Sequence, residues 1–553
     1  MPKRIEGLIF FFGCLFLAAS CDGQLLHQLR KFTRQDTLRG TITPERAWWD
    51  VVCYRIAINT DYENKSIEGK CEIQFRVLKE GNRMQIDLQQ PMTISRAYNE
   101  TGQFNFTREG NVYYVSFPKS PTKGSLQNLV LVFRGTPTIA KRPPWDGGWI
   151  FARDSLGRPW MSVACQGLGA SVWYPCKDHQ SDEPDSAFIN IAIPDSLVAV
   201  ANGRYLGKQS FSPGMMTYRW AVRNPINNYN IVPYIGKYKS WNEIYPGEKG
   251  RLDCEYWVLD YNLEKAQQQF KQVPTMLKCF EHWFGPYPFY EDGFKLVESP
   301  HLGMEHQSAV AYGNKFQNGY LGMDLSESGW GKKWDFIIIH ESGHEWFANN
   351  ITTNDIADMW IHEGFTSYSE TLFTECEFGK EAGSDYLTGL RQNIKNDIPV
   401  IGPYGVNQEG SGDMYYKGSN LLHTVRQLIN NDEKFREILR GLNASFYHKT
   451  VNSKDVEEYI SKQSGIDLSK VFHQYLRTIQ IPVLEYKLTK GSVSYRWSNC
   501  IQDFDMKLRV QLSQGEEQWI QPSSSWKTSS SPKYDGKTFI VDRNFYIETK
   551  KVE

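Results

Sequence analysis

The spacing of apolar side chains changes twice along the chain and divides it into three regions. Between residues 47 and 249, apolar and polar positions alternate in short runs such as residues 72–77, the period of half-buried β-strands. A helical spacing begins near Leu263 and continues to about Ile479, and alternating runs return after Pro482. The pattern predicts a multidomain α+β protein with a β-rich first domain, a mainly α-helical second domain and a small β-rich third domain. We place these domains at residues 47–249, 250–482 and 483–553.

The first twenty residues have the plan of a secretory signal peptide. Lys3 and Arg4 precede an apolar stretch that is shorter than the ~20 residues needed to cross a bilayer as a helix, and small residues follow it. The residues that end at Cys21 resemble a bacterial lipobox. We therefore expect residues 1–20 to be a signal peptide, Cys21 to carry a lipid anchor, and the protein to reach the bacterial cell envelope, in the periplasm or at the outer membrane. Plain secretion with Cys21 as a thiol is the alternative. Residues 21–46 are predicted to be a leader or linker.

Composition mainly excludes classes of protein. Hydrophobic residues make up 40% of the chain and charged residues 23%, which excludes a disordered or collagen-like protein. Sixty-two Lys and Arg against 63 Asp and Glu leave no positive excess to hold nucleic acid. The cysteines after the leader form no CxxC pair, which argues against a zinc–thiolate cluster. Disulfides and buried free thiols both remain open for the cysteines that lie near one another, Cys53 with Cys71 and Cys165 with Cys176.

The helical middle of the chain contains the pattern H-E-x-x-H, from His340 to His344, after an apolar run. Residues four apart on a helix differ by about 40° around its axis, so these two imidazoles project from one face and can hold one cation. Glu341 is displaced by about 100° and can reach a water molecule beside that cation as a general base. The alternative is two surface histidines that flank a glutamate, a pattern that arises by chance in roughly 1% of chains of this length.

A catalytic zinc site keeps three protein ligands, and two histidines with one glutamate are an established set. Glu363, separated from His344 by eighteen residues, completes this set. Asn349 can end the first helix in a left-handed conformation, and Asp355 or Asp358 can begin a second helix that folds back on the first. Glu363 is then predicted to lie near the start of that second helix.

Two neighbours of Glu363 have more than one interpretation. His362 is a competing metal ligand in principle, although the spacing favours Glu363. Asp358 is predicted to cap the second helix, and orientation of a ligand histidine through its ring N–H is left open as a second role.

These residues resemble those of a known family. H-E-x-x-H followed by a glutamate at this distance resembles the gluzincin aminopeptidases of the aminopeptidase N and leukotriene hydrolase family. The segment around Glu363, DMWIHEGF, resembles the family's sequence around its third ligand, with His362 in place of the usual Asn. Residues 302–306, LGMEH, resemble the exopeptidase motif G-A-M-E-N, with Leu302, Gly303 and His306 as departures from it.

We call His340, His344 and Glu363 the metal set. The resemblance implies roles for other residues as well. Glu305, with Gly303 and Met304 beside it, is expected to hold the free α-amine of the substrate. Tyr415, in the segment YYKG that resembles the family's Y-x-K-G, is expected to stabilise the transition state. Gln166 aligns with a residue of the amine subsite when counted back from the segment WYPCKD. Each of these residues also has an ordinary structural interpretation. Glu305 is compatible with a solvated loop carboxylate, Tyr415 with a packing residue and Gln166 with a loop amide.

The resemblance covers about residues 47 to 480 and implies both fold and activity. The expected fold has a saddle-like β-rich N-domain, a thermolysin-like catalytic domain and a C-terminal β-sandwich, without the family's large helical C-terminal domain. The expected activity is hydrolysis of the N-terminal residue from peptides with a free N-terminus, with one Zn²⁺ per chain. Two alternatives are an epoxide hydrolase on the same site and a catalytically silent protein that keeps zinc as a structural element. A structural zinc site needs neither Glu341 nor Tyr415, which argues against the second.

Overall fold

The computed structural model describes residues 31–513, 516–530, 534 and 536–553. The predicted signal peptide and Cys21 lie outside the described residues. Within the described residues, no helix combines the length and the apolar character needed to span a bilayer. The α-helices of this part of the chain are α1 (Arg34–Gly40), α2 (Leu263–Gln269), α3 (Val273–Phe284), α4 (Phe336–Gly343), α5 (Trp360–Phe378), α6 (Lys380–Gly389), α7 (Tyr416–Ile429), α8 (Asp432–Ser445), α9 (Ser453–Ser464) and α10 (Ser469–Arg477).

Three sheets build the N-terminal region. The largest sheet contains, in spatial order, Arg204–Ser212, Met215–Val222, Ser186–Pro194, Trp49–Asp61, Ser66–Val77, Leu126–Gly135, Thr93–Asn99 and Gly102–Gln103. The second contains Val198–Ala201, Pro233–Gly236, Pro159–Ala164 and Gly148–Arg153, and the third contains Arg83–Asp87, Val112–Ser116 and Asn105–Glu109. Alternation along a strand sorts side chains between the two faces: Ile56 and Ile58 are buried, whereas Ala57 between them is exposed. These sheets confirm the prediction of a β-rich first domain.

Part of the predicted leader is folded against these sheets. Thr33 and Asp36 form a capping box at the start of α1, so two free N–H groups of the helix are bonded. The buried guanidinium of Arg46 contacts the Asp87 carboxylate at 2.5 Å and donates to the backbone carbonyls of Arg39 and Thr41, at the end of α1. A buried charge needs such partners, and they attach this segment to the sheet. Residues 34–46 are therefore not a free linker.

A five-stranded sheet leads into the helical region. Its strands, in spatial order, are Tyr238–Gly247, Gly250–Leu259, Phe294–Glu298, Val310–Tyr312 and Gly303–Met304. The predicted domain limit at residue 249 falls in the hairpin between the first two strands, so this sheet begins before that limit. The short strand Gly303–Met304 lies at the edge and pairs on one side only, with Val310–Tyr312.

The helices of the second region enclose one hydrophobic core, in which α5 is almost entirely buried. A small parallel pair of strands, Ile351–Thr353 and Lys449–Val451, connects the segment before α5 to the segment before α9. A disulfide joins Cys279 of α3 to Cys376 of α5. Cys53, Cys71, Cys165 and Cys176, for which pairing was left open, are all buried free thiols.

The C-terminal region consists of two small sheets, as the alternating pattern predicts. One contains Lys527–Ser530, Ser492–Ser498, Val483–Thr489 and Glu548–Lys551, and the other contains Glu516–Ile520, Leu508–Ser513 and Ile540–Val541. Their buried residues, among them Leu484 and Val510, belong to the same hydrophobic core as the helices. The hydroxyl of Tyr475 in α10 donates to the carbonyl of Tyr546 and adds a polar contact across this boundary. The sheets therefore pack as part of the hydrophobic core of the helical region.

The disulfide between α3 and α5 closes a chain segment with a sequence separation of 97. Loss of a cross-link over a loop of this length costs about 2–5 kcal/mol of folding free energy. We expect a Cys279→Ala/Cys376→Ala variant to melt at a lower temperature than the wild type without reductant, while Cys500→Ala, which removes a free thiol, serves as the control. Equal melting of the double variant and the wild type would show that the cross-link does not stabilise the native fold.

Candidate metal centre

The helix that carries the H-E-x-x-H pattern begins at a buried cap. The Asp335 carboxylate accepts from the backbone N–H groups of Ile337 and Ile338, two of the free donors at the start of α4. The helix ends at Gly343, and His344 keeps a helical backbone conformation with φ −63° and ψ −19°. His340 and His344 therefore remain one turn apart and project from one face, although the regular helix is shorter than the sequence predicts.

A close approach of two helices brings the third residue to this face. A Cβ atom on Gly343 would lie 2.5 Å from Ser369 Oγ, so the glycine allows α5 to pack directly on α4. Glu363, in the first turn of α5, then places its Oε2 atom 3.6 Å from His340 Nε2 and 3.3 Å from His344 Nε2. The structure thus brings together the three residues predicted as metal ligands.

The donor atoms of these residues fit a zinc ion. Tetrahedral ligands at bond lengths of 2.0–2.1 Å lie about 3.4 Å from one another, close to the spacing seen here. All three side chains are buried, and Glu363 Oε2 accepts no hydrogen bond from a described residue. A buried carboxylate oxygen without a donor is costly, and a cation between the two imidazoles would satisfy it.

The Nδ1 atoms of both histidines make hydrogen bonds within the protein. His340 Nδ1 lies 2.6 Å from Glu370 Oε1, and His344 Nδ1 lies 3.0 Å from both the carbonyl of Phe347 and Thr366 Oγ1. These contacts place the ring proton on Nδ1 and leave the lone pair of Nε2 facing Glu363, the arrangement that metal-ligating histidines commonly show. The sequence analysis missed Glu370, although its position two helical turns after Glu363 places both carboxylates on one face of α5.

The charges of the set favour a cation. Burial lowers the pKa of His340 and His344, but the neighbouring carboxylates together outweigh it, so the pKa of both imidazoles is raised. These carboxylates are mainly Glu363 and Glu370 for His340, and Glu363 and Glu305 for His344. The field that holds a proton on the imidazoles would also hold a metal ion between them. Burial raises the pKa of Glu341 to about 7, and the two imidazoles oppose this effect.

Glu305 lies in the turn after the edge strand and beside the metal set. Its Oε1 atom accepts from Gln166 Nε2 and from the hydroxyl of Tyr229, at 3.0 Å for the tyrosine. Possible ligand atoms of Glu305, Glu341 and His344 lie within 4.8 Å of one another. Burial raises the pKa of Glu305, against the lowering effect of His344. No motif in the sequence marked Tyr229 for this place.

The edge strand runs directly along the carboxylate of Glu341. A Cβ atom on Gly303 would lie 2.5 Å from Glu341 Oε1, so a larger residue would displace that carboxylate. Met304 is partly buried and packs against the core of the N-terminal sheets. Asn349 Nδ2 donates to the backbone carbonyl of Glu305 at 2.8 Å and joins this segment to the end of the metal-binding turn. Gly303 and Met304 thus lie between Glu341 and the β-rich domain.

Tyr415 reaches the same centre from a third segment. It directly precedes α7, and its ring stacks near that of His340 with 6.0 Å between centroids. A Cβ on Gly418 would lie 2.9 Å from the Cα of Gly364, so the two glycines let α7 cross α5 closely. Burial, reinforced by nearby carboxylates, raises the pKa of Tyr415 well above its ordinary value, and the phenol is a neutral donor.

His362 and Asp358, the two neighbours of Glu363 with more than one interpretation, do not contact the metal set. His362 Nε2 accepts from the backbone N–H of Thr353 at 2.9 Å, so its ring points away from the metal set, and burial lowers its pKa to about 3. The predicted cap role of Asp358 is wrong, because Asp355 caps a short 3-10 turn, Ile356–Asp358, that precedes α5. Asp358 instead accepts from the hydroxyl and backbone N–H of Ser453 at the start of α9, and it orients neither ligand histidine.

Comparison with known proteins shows which family the residues around this metal centre resemble. Residues 268–475 match the family described as Peptidase family M1 domain. Among curated relatives, leukotriene A-4 hydrolase of Xenopus laevis is 22% identical over 444 residues, which are 76% of this chain and 68% of the relative. Aminopeptidase B of Rattus norvegicus is 24% identical over 387 residues, 66% of this chain and 55% of the relative. The chain thus spans little more than half of the second relative.

Solved structures share the fold. The crystal structure of an M1 zinc metallopeptidase from Deinococcus radiodurans superposes with a TM-score of 0.67 at 20% identity, and it covers 78% of this chain and 94% of its own. A mutant of the same enzyme, described as bound to a Tyr-Ser-Ala substrate, has the same TM-score at 19% identity, with 79% of this chain and 96% of its own covered. The family match contains the metal set together with Glu305, Glu341 and Tyr415. Residues 268–475 therefore match peptidase family M1, and the chain shares its fold with zinc metallopeptidases of that family and has aminopeptidases among its relatives.

Proposed function

We propose that the protein is a zinc-dependent aminopeptidase that releases the N-terminal residue of peptides by attack of water on the first peptide bond. One observation carries the proposal: the buried Glu305 carboxylate lies within 4.8 Å of possible ligand atoms of Glu341 and His344. The α-amine nitrogen of a residue is two bonds from the carbonyl carbon of that residue. An acceptor for the amine this close to the metal set would therefore place the first peptide bond over it. The name of one relative, aminopeptidase B, agrees with this function.

His340, His344 and Glu363 would hold the zinc ion. When bound, the ion supplies Lewis-acid polarisation and lowers the pKa of a water molecule. Glu370 and the carbonyl of Phe347 keep the two imidazole rings in the required orientation through their Nδ1 atoms.

Glu341 is the proposed general base. It lies next to His340 on α4, and the absence of a side chain at Gly303 leaves its Oε1 atom undisplaced beside the edge strand. Its carboxylate would accept the proton of the attacking water and then pass a proton to the leaving amine. Proton transfer of this kind requires hydrogen-bond reach, and a carboxylate oxygen of Glu341 lies within 4.8 Å of a ring nitrogen of His344, which would hold the metal.

Tyr415 is the proposed donor to the oxyanion that develops on the scissile carbonyl. Its phenol keeps its proton because burial and the surrounding carboxylates raise its pKa. A fixed donor of this type contributes about 3 kcal/mol to stabilisation of the transition state. Its place beside His340, on the residue that directly precedes α7, puts the donor at the edge of the metal set.

Glu305 is proposed to make the enzyme an exopeptidase. It is buried, and Gln166 and Tyr229 both donate to the same oxygen, which leaves the carboxylate ready for one more donor. A protonated N-terminus would satisfy it, whereas an interior peptide segment brings no charge and would leave a buried carboxylate unpaired.

Glu305, Glu341 and Tyr415 favour the peptidase over the two alternatives. A lipid epoxide, the substrate class considered from the resemblance to leukotriene hydrolases, brings no cation to Glu305. A silent protein with a structural zinc would need neither Glu341 nor Tyr415 beside the metal set, yet both lie there. We therefore favour peptide hydrolysis as the function.

Removal of the base or of the oxyanion donor should abolish turnover without loss of metal. We expect Glu341→Ala and Tyr415→Phe each to lower kcat for an aminoacyl p-nitroanilide by about a thousandfold or more, consistent with the energies of such groups. Metal content, measured by mass spectrometry, should stay at one zinc per chain. Tyr459→Phe, a tyrosine change in α9, is the control. Wild-type turnover in either variant would exclude that residue from the chemistry.

The Glu305 carboxylate should set the preference for a free amine. We expect the wild type to cleave alanyl p-nitroanilide and to leave its N-acetylated form intact. Glu305→Gln should lose about 10–100-fold in kcat/KM on the free-amine substrate, the value of a charged hydrogen bond. If the wild type cleaved both forms equally, the exopeptidase proposal would have to be abandoned.

The contact between Glu370 and His340 should tighten metal binding. We expect Glu370→Gln to bind zinc about 10–100-fold more weakly, as is usual for partners of metal-ligating histidines. Competition with a chelating dye measures the affinity, and added zinc should restore activity. Glu377→Gln, which changes an exposed carboxylate on the same helix, should bind zinc like the wild type. Unchanged affinity in the Glu370 variant would show that the contact is unimportant for the metal.

A further inference from the structure

His306 is a departure from the exopeptidase motif, and the chemistry proposed above gives it no role. It directly follows Glu305, and its side chain is fully buried. Its Nδ1 atom lies 2.5 Å from the hydroxyl of Tyr234, a buried residue of the strand Pro233–Gly236 in the second sheet of the β-rich domain. Among the described residues, the groups of side chains able to hold a metal ion do not include His306. Its side chain therefore contacts the β-rich domain and takes no part in holding the metal.

The hydrogen bond between His306 and Tyr234 has a defined direction. The Tyr234 hydroxyl also lies 2.7 Å from the backbone carbonyl of Ala309, which can only accept a hydrogen bond. The single hydroxyl proton is therefore donated to Ala309, and the hydroxyl oxygen accepts from Nδ1–H of His306. Burial lowers the pKa of His306 well below its ordinary value, and His301 acts in the same direction, so the ring is neutral and carries its one proton on Nδ1.

Tyr234 thereby closes the turn that follows Glu305. Within this turn, the backbone N–H of Ala309 donates to the carbonyl of His306 at 2.9 Å. The Tyr234 hydroxyl binds the side chain of the first residue of the turn and the carbonyl of the last, so it bridges both ends. Between them, Ser308 has a φ of 53°, in the left-handed region that residues with a side chain disfavour. Such a conformation persists only where the surroundings hold it, and Tyr234 is part of those surroundings.

The same stretch of the β-rich domain holds the Glu305 carboxylate. Tyr229, shortly before Tyr234 in the chain, donates to Glu305 Oε1 at 3.0 Å. The two tyrosines thus contact adjacent residues, one through the proposed amine acceptor and the other through the imidazole next to it. His306 Nε2 makes no hydrogen bond to a described residue, so Tyr234 is the polar partner that fixes the ring. A buried donor without its partner is costly, and loss of this contact would therefore favour a displaced turn.

We propose that His306 and Tyr234 are positioning residues that hold the Glu305 carboxylate in place for the α-amine of the substrate. The inference rests on the aminopeptidase function proposed above and adds the contact that fixes its amine acceptor. An acceptor that is held in place before the substrate arrives binds the amine more tightly than one that must first be ordered, because ordering costs free energy. The β-rich domain thus contributes to amine binding without a charged group of its own.

Two substitutions of His306 separate the hydrogen bond from the shape of the side chain. Asparagine and leucine have the same branched shape, and either places an atom where Nδ1 lies, but only asparagine can donate from it. Tyr234→Phe removes the hydroxyl and tests the same contact from the other side, even if His306→Leu fails to fold. Tyr218→Phe is the control, because it removes a hydroxyl that donates to the carbonyl of Leu197 elsewhere in the β-rich domain. Melting temperature and zinc content are measured for every variant.

Alanine hydroxamate and propanohydroxamate differ only in the α-amine, and both bind zinc through the hydroxamate. The ratio of their inhibition constants, measured with alanyl p-nitroanilide, therefore reports the contribution of the amine. We expect the wild type to bind the amine-bearing inhibitor about 10–100-fold more tightly, the range of a charged hydrogen bond. Tyr234→Phe and His306→Leu should reduce this ratio to within about threefold, with inhibition by propanohydroxamate unchanged. His306→Asn and Tyr218→Phe should keep the wild-type ratio.

A double variant tests whether the contact acts through Glu305. In a Glu305→Gln background, Tyr234→Phe should change the ratio no further, because the acceptor that it positions is already altered. A further loss of the same size as in the wild-type background would show that Tyr234 acts by another route and would overturn the inference.

Two other results would also overturn it. An unchanged ratio in both Tyr234→Phe and His306→Leu would show that the contact does not position Glu305. An equal weakening of both hydroxamates would show that the contact supports the whole metal centre and not the amine acceptor in particular. Failure of the aminopeptidase proposal itself looks different, because the wild type would then bind both hydroxamates equally and release no p-nitroaniline with zinc bound.

Discussion

The close packing of α5 on α4 is the constraint on which the rest of the site depends. It places the carboxylate of Glu363 between two imidazoles in a volume closed to solvent, and Gly343 is what allows the approach. A carboxylate oxygen buried in this way needs a proton or a cation, since an unpaired buried charge is costly. The metal requirement of the protein is therefore a consequence of helix packing as much as of ligand chemistry.

Other parts of the site reach this centre by similar close approaches. Gly303 brings the edge strand against Glu341, and the contact of Gly364 with Gly418 lets α7 carry Tyr415 to the metal set. In each case the glycine has no Cβ atom, so two segments can pack more closely than a larger residue would allow. The proposed amine acceptor, base and oxyanion donor come from different segments, yet they share one buried space because the backbones around them lie close to one another. Rigid placement of such groups is what allows binding energy to be used in the transition state.

The residues that sequence reasoning missed have a common character. Glu370 orients His340, and Tyr229 donates to Glu305, but neither belongs to a short motif. The error at Asp358 has a related cause: a 3-10 turn before α5 moved the cap to Asp355, and a partner on α9 became available to Asp358 only through tertiary packing. The folded part of the leader follows the same rule, since Arg46 is held by Asp87 from a strand distant in the sequence.

By itself the sequence determined the order of β-rich and helical regions and the pairing of His340 with His344, because the periods of strands and helices are local properties of the chain. It also determined the choice of Glu363, because only a short segment separates the two helices that carry the metal set. Only the tertiary structure decided which cysteines pair, which carboxylate orients His340, and how Gln166 and Tyr229 meet Glu305, because these contacts join segments that are far apart in the sequence.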